Sequence, residues 1–77
     1  MRISVLLEYV KDRTFHLSTD TWVDSRFREG MREVTVIFNS DEYFKLLDDS
    51  PDVAPYFSVG PKCVVVSGDM AYRITED

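Results

Sequence analysis

Between residues 2 and 10 the side chains alternate, with Ile3, Val5, Leu7 and Tyr9 on one side and Ser4, Leu6, Glu8 and Val10 on the other. That is the period of two that a β-strand requires. Lys11-Asp12-Arg13 interrupts the pattern, and residues 14 to 18 resume it with Phe15 and Leu17 facing one way and His16 the other. A hairpin between these two strands is the simplest reading. Residues 31 to 38 form a further strand, because Val34, Val36 and Phe38 alternate with Glu33, Thr35 and Ile37 and β-branched residues dominate.

Residues 19 to 30 fit two patterns. Trp22, Val23 and Phe27 suit a short helix ending at Gly30, or a strand with Val23, Ser25 and Phe27 inward. Thr, Trp, Val and Ser are indifferent helix formers, which favours the strand. Glu29-Gly30 would then turn into the next strand and set Arg26 opposite Glu33, a favourable charge pair.

The pattern changes period after Asn39. Asn39 or Ser40 can cap free amides, and Asp41 and Glu42 suit the positive end of a helix dipole. Tyr43, Phe44, Leu46 and Leu47 then recur at helical spacing and leave Asp41, Lys45 and Asp48 on the solvated side. The spacing predicts a helix over about 41 to 49, ended by Ser50-Pro51. Residues 51 to 61 hold all three prolines and are expected to be irregular, yet Val53, Tyr56, Phe57 and Val59 call for a place over the core.

Residues 62 to 67 and 70 to 75 flank Gly68-Asp69, a glycine-first loop of the kind tight hairpins prefer. That loop sets Val65 opposite Tyr72 and Cys63 opposite Ile74 on one face with Met70, and leaves Val64, Val66, Ala71 and Arg73 on the other. The expected fold is therefore α+β: one antiparallel sheet of about five or six strands with a single helix on one face. The expected core is Ile3, Val5, Leu7, Phe15, Leu17, Val34, Val36, Phe38, Phe44, Leu47, Val65, Tyr72 and Ile74.

A chain of 77 residues is expected to be one domain. It hides roughly 60 % of its unfolded surface, so its core is thin and leaves little room for a deep cleft. Such small domains bind more often than they catalyse. The lone Cys63 forms no internal disulfide, which favours a reducing compartment. Glu8 breaks the first apolar run too early for a signal-peptide core and far short of a membrane span. The expected location is the cytoplasm.

Charge changes the picture more than composition does. Acids and bases balance over residues 1 to 39, whereas residues 40 to 52 hold Asp41, Glu42, Asp48, Asp49 and Asp52 against Lys45 alone, −4 of the total −5. Asp41 and Glu42 have a structural reason to be there, and Asp41 can pair with Lys45 four residues on. Asp48 and Asp49 do not, since carboxylates in a last helical turn oppose the dipole at about 0.3 to 1 kcal/mol each.

Candidate chemistry is sparse. His16, Ser18 and Asp20 share a strand face, but residues two apart diverge, whereas a catalytic triad must converge in a pocket. Cys63 is read as a small core hydrophobe. Asp48, Asp49 and Asp52 lack the alternating spacing and glycine of a calcium loop, so neither metal nor cofactor is expected. Trp22, Arg26, Phe27, Arg28 and Arg32 interleave rings with bases as a single-stranded nucleic-acid surface does. Asp24 and Glu29 nearly cancel that charge, and the molecule's net charge repels phosphate.

The expected function is that of a non-enzymatic protein-binding module meeting a basic surface through Asp41, Glu42, Asp48, Asp49 and Asp52, with Tyr56 and Phe57 as aromatic anchors. A sharper form is an inhibitor that mimics nucleic acid and occupies the channel of a larger nucleic-acid-handling protein. The alternative is a homo-oligomer joined through the apolar face of Val64, Val66 and Ala71.

Overall fold

The computed structural model describes residues 6–76. Its elements are β1 (Leu7–Val10), β2 (Arg13–Ser18), β3 (Thr21–Asp24), β4 (Arg32–Ile37), α1 (Asp41–Asp49), a 3-10 segment (Ala54–Val59), β5 (Cys63–Ser67) and β6 (Met70–Thr75). The fold is α+β with one six-stranded sheet in the order β1-β2-β3-β5-β6-β4. The expected residues Ile3 and Val5 lie outside the described residues.

The sheet is mixed, not purely antiparallel as expected. β1, β2 and β3 form an antiparallel meander and β5 and β6 a hairpin, but β3 pairs β5 in parallel and β4 pairs β6 in parallel. The hairpin register is the expected one, with Val65 opposite Tyr72 and Cys63 opposite Ile74. Gly68 takes φ +64° at the first loop position, a conformation open to glycine at no steric cost. Lys11 and Thr19 hold the same left-handed φ, 55° and 60°, at the first loop position of the other two hairpins.

The parallel pairings arise from two crossovers. β3 ends at Asp24, so the chain does not turn back beside it, and residues 25–31 instead lead to the far edge, where β4 pairs β6. Arg26 therefore does not face Glu33 as expected: Glu33 accepts a hydrogen bond from Arg73 Nε at 2.7 Å, and Arg26 lies 3.5 Å from Asp12. The return from β4 to β5 runs through α1 and the 3-10 segment. Each crossover covers a face. Phe27 and Met31, with Val23, pack on Val64, Val66 and Ala71, while α1 and the 3-10 segment cover Phe15, Val36, Cys63, Val65 and Ile74. β5 is thus buried on both faces, which is why Cys63-Val64-Val65-Val66 is an unbroken apolar run and not an alternating one.

α1 starts where the sequence places it. Ser40 Oγ accepts the Tyr43 N–H at 3.2 Å and donates to the Ile37 carbonyl at 2.6 Å, and Asn39 makes the entry turn at φ 65°. Residues 54–59, expected to be irregular, form a 3-10 turn, because Pro55 sits in its first turn, where a missing N–H breaks no bond. Its Tyr56 and Phe57, together with Val53, are buried.

The core differs from expectation in both directions: Tyr43, Val53, Tyr56, Phe57 and Cys63 join it, the half-buried Leu17 belongs to neither cluster, and three expected members are exposed. Leu7, Val34 and Phe44 are 46 %, 37 % and 51 % exposed. Leu7 and Val34 lie on edge strands, and Phe44 is turned sideways because Tyr43, packed edge-on against Phe38, takes the inward position on α1. Among the described residues no helix is long and apolar enough to cross a membrane.

Candidate functional site

The exposed side of α1 is built by its cap and its one buried ring. With Tyr43 turned to the core, the helical repeat brings Asp41, Phe44 and Asp48 into one outward stripe, three and four residues apart. Glu42, Asp49 and Asp52 flank it, all exposed. Among the described residues none of these five carboxylates forms an ion pair, and the expected Asp41–Lys45 pair is not made. No basic residue stands in the last turn. Phe44 lies in the middle of this field, its ring edge-on to Tyr43 at 5.6 Å between centroids.

Tyr56 and Phe57, expected as anchors, are 7 % and 3 % exposed and belong to the core. Phe57 packs against Tyr43 with centroids 6.0 Å apart, and Tyr56 packs against Phe15 at 6.2 Å. A thin core recruits the apolar loop, so no ring surface is left for a partner. The exposed aromatic beside the carboxylates is Phe44.

The structure also places the remaining candidates. Asp20 accepts from Lys62 Nζ at 2.8 Å and from Thr21 Oγ1, and among the described residues no side-chain hydrogen bond reaches His16, so His16, Ser18 and Asp20 are not joined. Trp22 lies on the α1 side of the sheet against the main core, and Phe27 lies on the opposite face, so the two rings do not share one stacking surface. Val64, Val66 and Ala71 are 0 %, 5 % and 0 % exposed beneath Phe27 and Met31 of the same chain, so this face is not open to a second copy. Among the described residues no three metal-ligating side chains converge.

Cys63 is fully buried, and burial pushes its thiol up to about 12. We expect a thiol reagent at neutral pH to label Cys63 only through unfolding, with a rate that follows the unfolding equilibrium across a urea series. The sign of the pH effect follows. The folded thiol holds its proton longer than the unfolded one, so this contribution to stability is complete below the ordinary thiol value of 9.0 and is lost as pH rises toward 12. The fall is at most about 1.4 kcal/mol per pH unit. Rapid labelling of the folded protein in the absence of urea would contradict it.

Sequence reasoning missed a buried polar cluster at the end of β3. Asp24 is 1 % exposed, and its Oδ2 accepts from Arg13 Nη1 at 2.9 Å and from the Val66 N–H at 3.0 Å. Oδ1 accepts the Arg26 N–H at 2.9 Å, and Arg13 Nη1 also donates to the Val66 carbonyl. β3 pairs β5 only at Trp22–Cys63 and Val23–Val64, so by Val66 the β5 backbone has lost its neighbour. The ion pair stands in for the missing strand and satisfies both main-chain groups of Val66. Tyr56 closes the cluster from above, with its ring 4.2 Å from the Arg13 guanidinium carbon and its hydroxyl donating to Asp12 Oδ1. That hydrogen bond holds the Asp12 carboxyl below its usual range and, with burial, raises the Tyr56 hydroxyl. The local half of this cluster had a signal, since Asp-Ser-Arg after a strand suits an Asp side chain bonding the amide two residues on. The reach of Arg13 to Val66 had none.

This cluster is structural and fully occupied by its own partners except for Arg13 Nε, which is buried without one among the described residues. The α1 segment differs in gathering five carboxylates of one sign without an ion pair among the described residues, whereas the other unpaired charges, such as Glu8, Lys11, Arg28, Glu29 and Arg32, are of mixed sign. Compared with protein-family models, with curated proteins and with solved structures, the chain matches none of them.

Proposed function

We propose that this protein is a non-enzymatic binding module that docks on a basic surface of a larger protein through the outer side of α1. The observation that carries the reading is the half-exposed Phe44 held among carboxylates that pair with nothing among the described residues. An aromatic ring ringed by charge is how binding hot spots are built: the ring supplies buried area and the charges supply encounter rate and orientation. Asp48 and Asp49 oppose the helix dipole and have no basic neighbour in their turn, so the fold gives no return for them. The narrower reading, an inhibitor that mimics nucleic acid in the channel of a nucleic-acid-handling protein, rests on small size and clustered carboxylates alone.

The test is affinity capture of partners from the native host with the unmodified protein and with a variant carrying Asp48→Lys, Asp49→Lys and Asp52→Lys. All three positions are exposed and unpaired, so the variant is expected to fold while its partners are lost, and retention by the unmodified protein should weaken as salt rises. Equal capture by both forms at low salt would overturn the proposal.

A further inference from the structure

The acidic helix does not lie over the middle of the sheet. α1 rests chiefly on β4, at one edge, and on the 3-10 segment, which in turn covers β1 and β5. Among the described residues no strand pairs with the β4 edge beneath α1. The Phe38 N–H donates to the Thr75 carbonyl, and in a parallel ladder the amide and carbonyl of one residue point to the same neighbour. Val34, Val36 and Phe38 therefore turn their main chain toward β6, and Glu33, Thr35 and Ile37 turn theirs away. The Ile37 carbonyl is taken by Ser40. The amides of Glu33, Thr35 and Ile37 and the carbonyls of Glu33 and Thr35 face outward, with no strand among the described residues to receive them. On the α1 side of the sheet this edge carries Val34, 37 % exposed, and α1, which rests on β4, carries the exposed Phe44.

An open edge can take a second copy or a different chain, and charge decides between them. Two copies joined antiparallel through β4 are related by a twofold axis perpendicular to the sheet, which leaves both α1 helices on the same face. Each brings five carboxylates against one lysine, so self-pairing sets like charge against like. A basic strand meets the opposite field. The other edge, β1, exposes Leu7 and Tyr9, but Glu8 and Lys11 beside them cancel, and no such field selects its partner.

We infer that the β4 edge receives an extended, lysine- or arginine-rich segment of the partner as a seventh strand, bonded to the outward groups of Glu33, Thr35 and Ile37. Its basic side chains lie on the helix side, with their stems along Val34 and Phe44 and their charges in the field of Asp41 and Asp48, and its apolar ones lie on the other face beside Ile37, 39 % exposed. Main-chain bonds supply affinity without sequence, and the alternating side chains supply selectivity. The inference rests on the reading of α1 as the docking face and names the form of its partner.

The probe is a capped peptide of alternating lysine and valine, about eight residues long so that it spans the edge. It is compared with the glutamate–valine peptide and with a lysine–valine peptide N-methylated at every residue, which leaves neither edge able to donate. The readout is residue-resolved amide hydrogen exchange of the unmodified protein. Near saturation the lysine–valine peptide should slow the amides of Glu33, Thr35 and Ile37 about tenfold, and the other two peptides should leave them unchanged. Binding that perturbs α1 and leaves these amides unprotected overturns the strand addition while the docking role of α1 stands. Absence of binding, protection at Leu7 and Tyr9 instead, equal protection by the acidic peptide, or protection in a peptide-free dimer also overturns it. The charge-reversed capture judges the docking role separately.

Discussion

Asp24→Asn should destabilise the protein by about 3 to 5 kcal/mol, because it leaves the Arg13 guanidinium buried against a neutral amide. A domain of this length has roughly 4 to 12 kcal/mol of stability, so this one substitution removes a large share of it. The usual expectation for a buried ion pair is that replacing both partners by apolar groups restores stability. Here that should fail. Arg13 and Asp24 together satisfy the carbonyl and the amide of Val66, and an apolar pair would leave both unbonded at about 1 to 3 kcal/mol each. Urea unfolding of Asp24→Asn and of the double variant Arg13→Met with Asp24→Leu measures the difference. The double variant should remain about 2 to 6 kcal/mol below the unmodified protein. Recovery of full stability would show that the pair is only a charge pair and does not stand in for a strand.

Phe57→Ala should cost about 3 to 5 kcal/mol, the range for deleting a buried ring that the surroundings cannot refill. Phe57 is 3 % exposed, packs on Tyr43, and belongs to the 3-10 segment that covers β5. Its loss should loosen the seat of α1 as well. The same urea experiment reads the loss, and a change under about 1 kcal/mol would place the ring outside the core and return it to the set of docking residues.

These two positions mark how far the sequence could be read. Elements governed by local chemistry were legible: the Ser40 cap with Asp41 and Glu42 behind it, the Gly68 loop, and the alternation that opposes Val65 to Tyr72. What failed was long-range. In residues 19 to 30 the pattern favours a strand running to a turn at Gly30 over a short helix, whereas the chain stops pairing at Asp24 and crosses the sheet with Phe27 and Met31. The unbroken run Cys63 to Val66 was the available sign that β5 is buried on both faces and needs two crossovers.

The candidate surface divides the same way. The carboxylates of residues 41 to 52 were identified by counting charge, and all are exposed. The aromatic partner was not. On a helix of nine residues, Tyr43 and Phe44 are both apolar and adjacent, and only the position of Phe38 and Phe57 decides which ring goes inward. Tyr56 and Phe57 fit two readings in the sequence, as cover for the core and as anchors beside the acids, and the structure takes the first, because a domain with so little core uses every ring it can cover.

The docking role of α1 is tested most directly by Phe44→Ala, read in two ways on the same preparation: urea stability, and retention of the partner captured from the native host. A half-exposed ring that serves a partner and not the core should lower stability by about 1 kcal/mol or less while the partner is lost. A loss of several kcal/mol in stability with the partner still retained would contradict the account, and would return Phe44 to the core where its helical spacing first placed it.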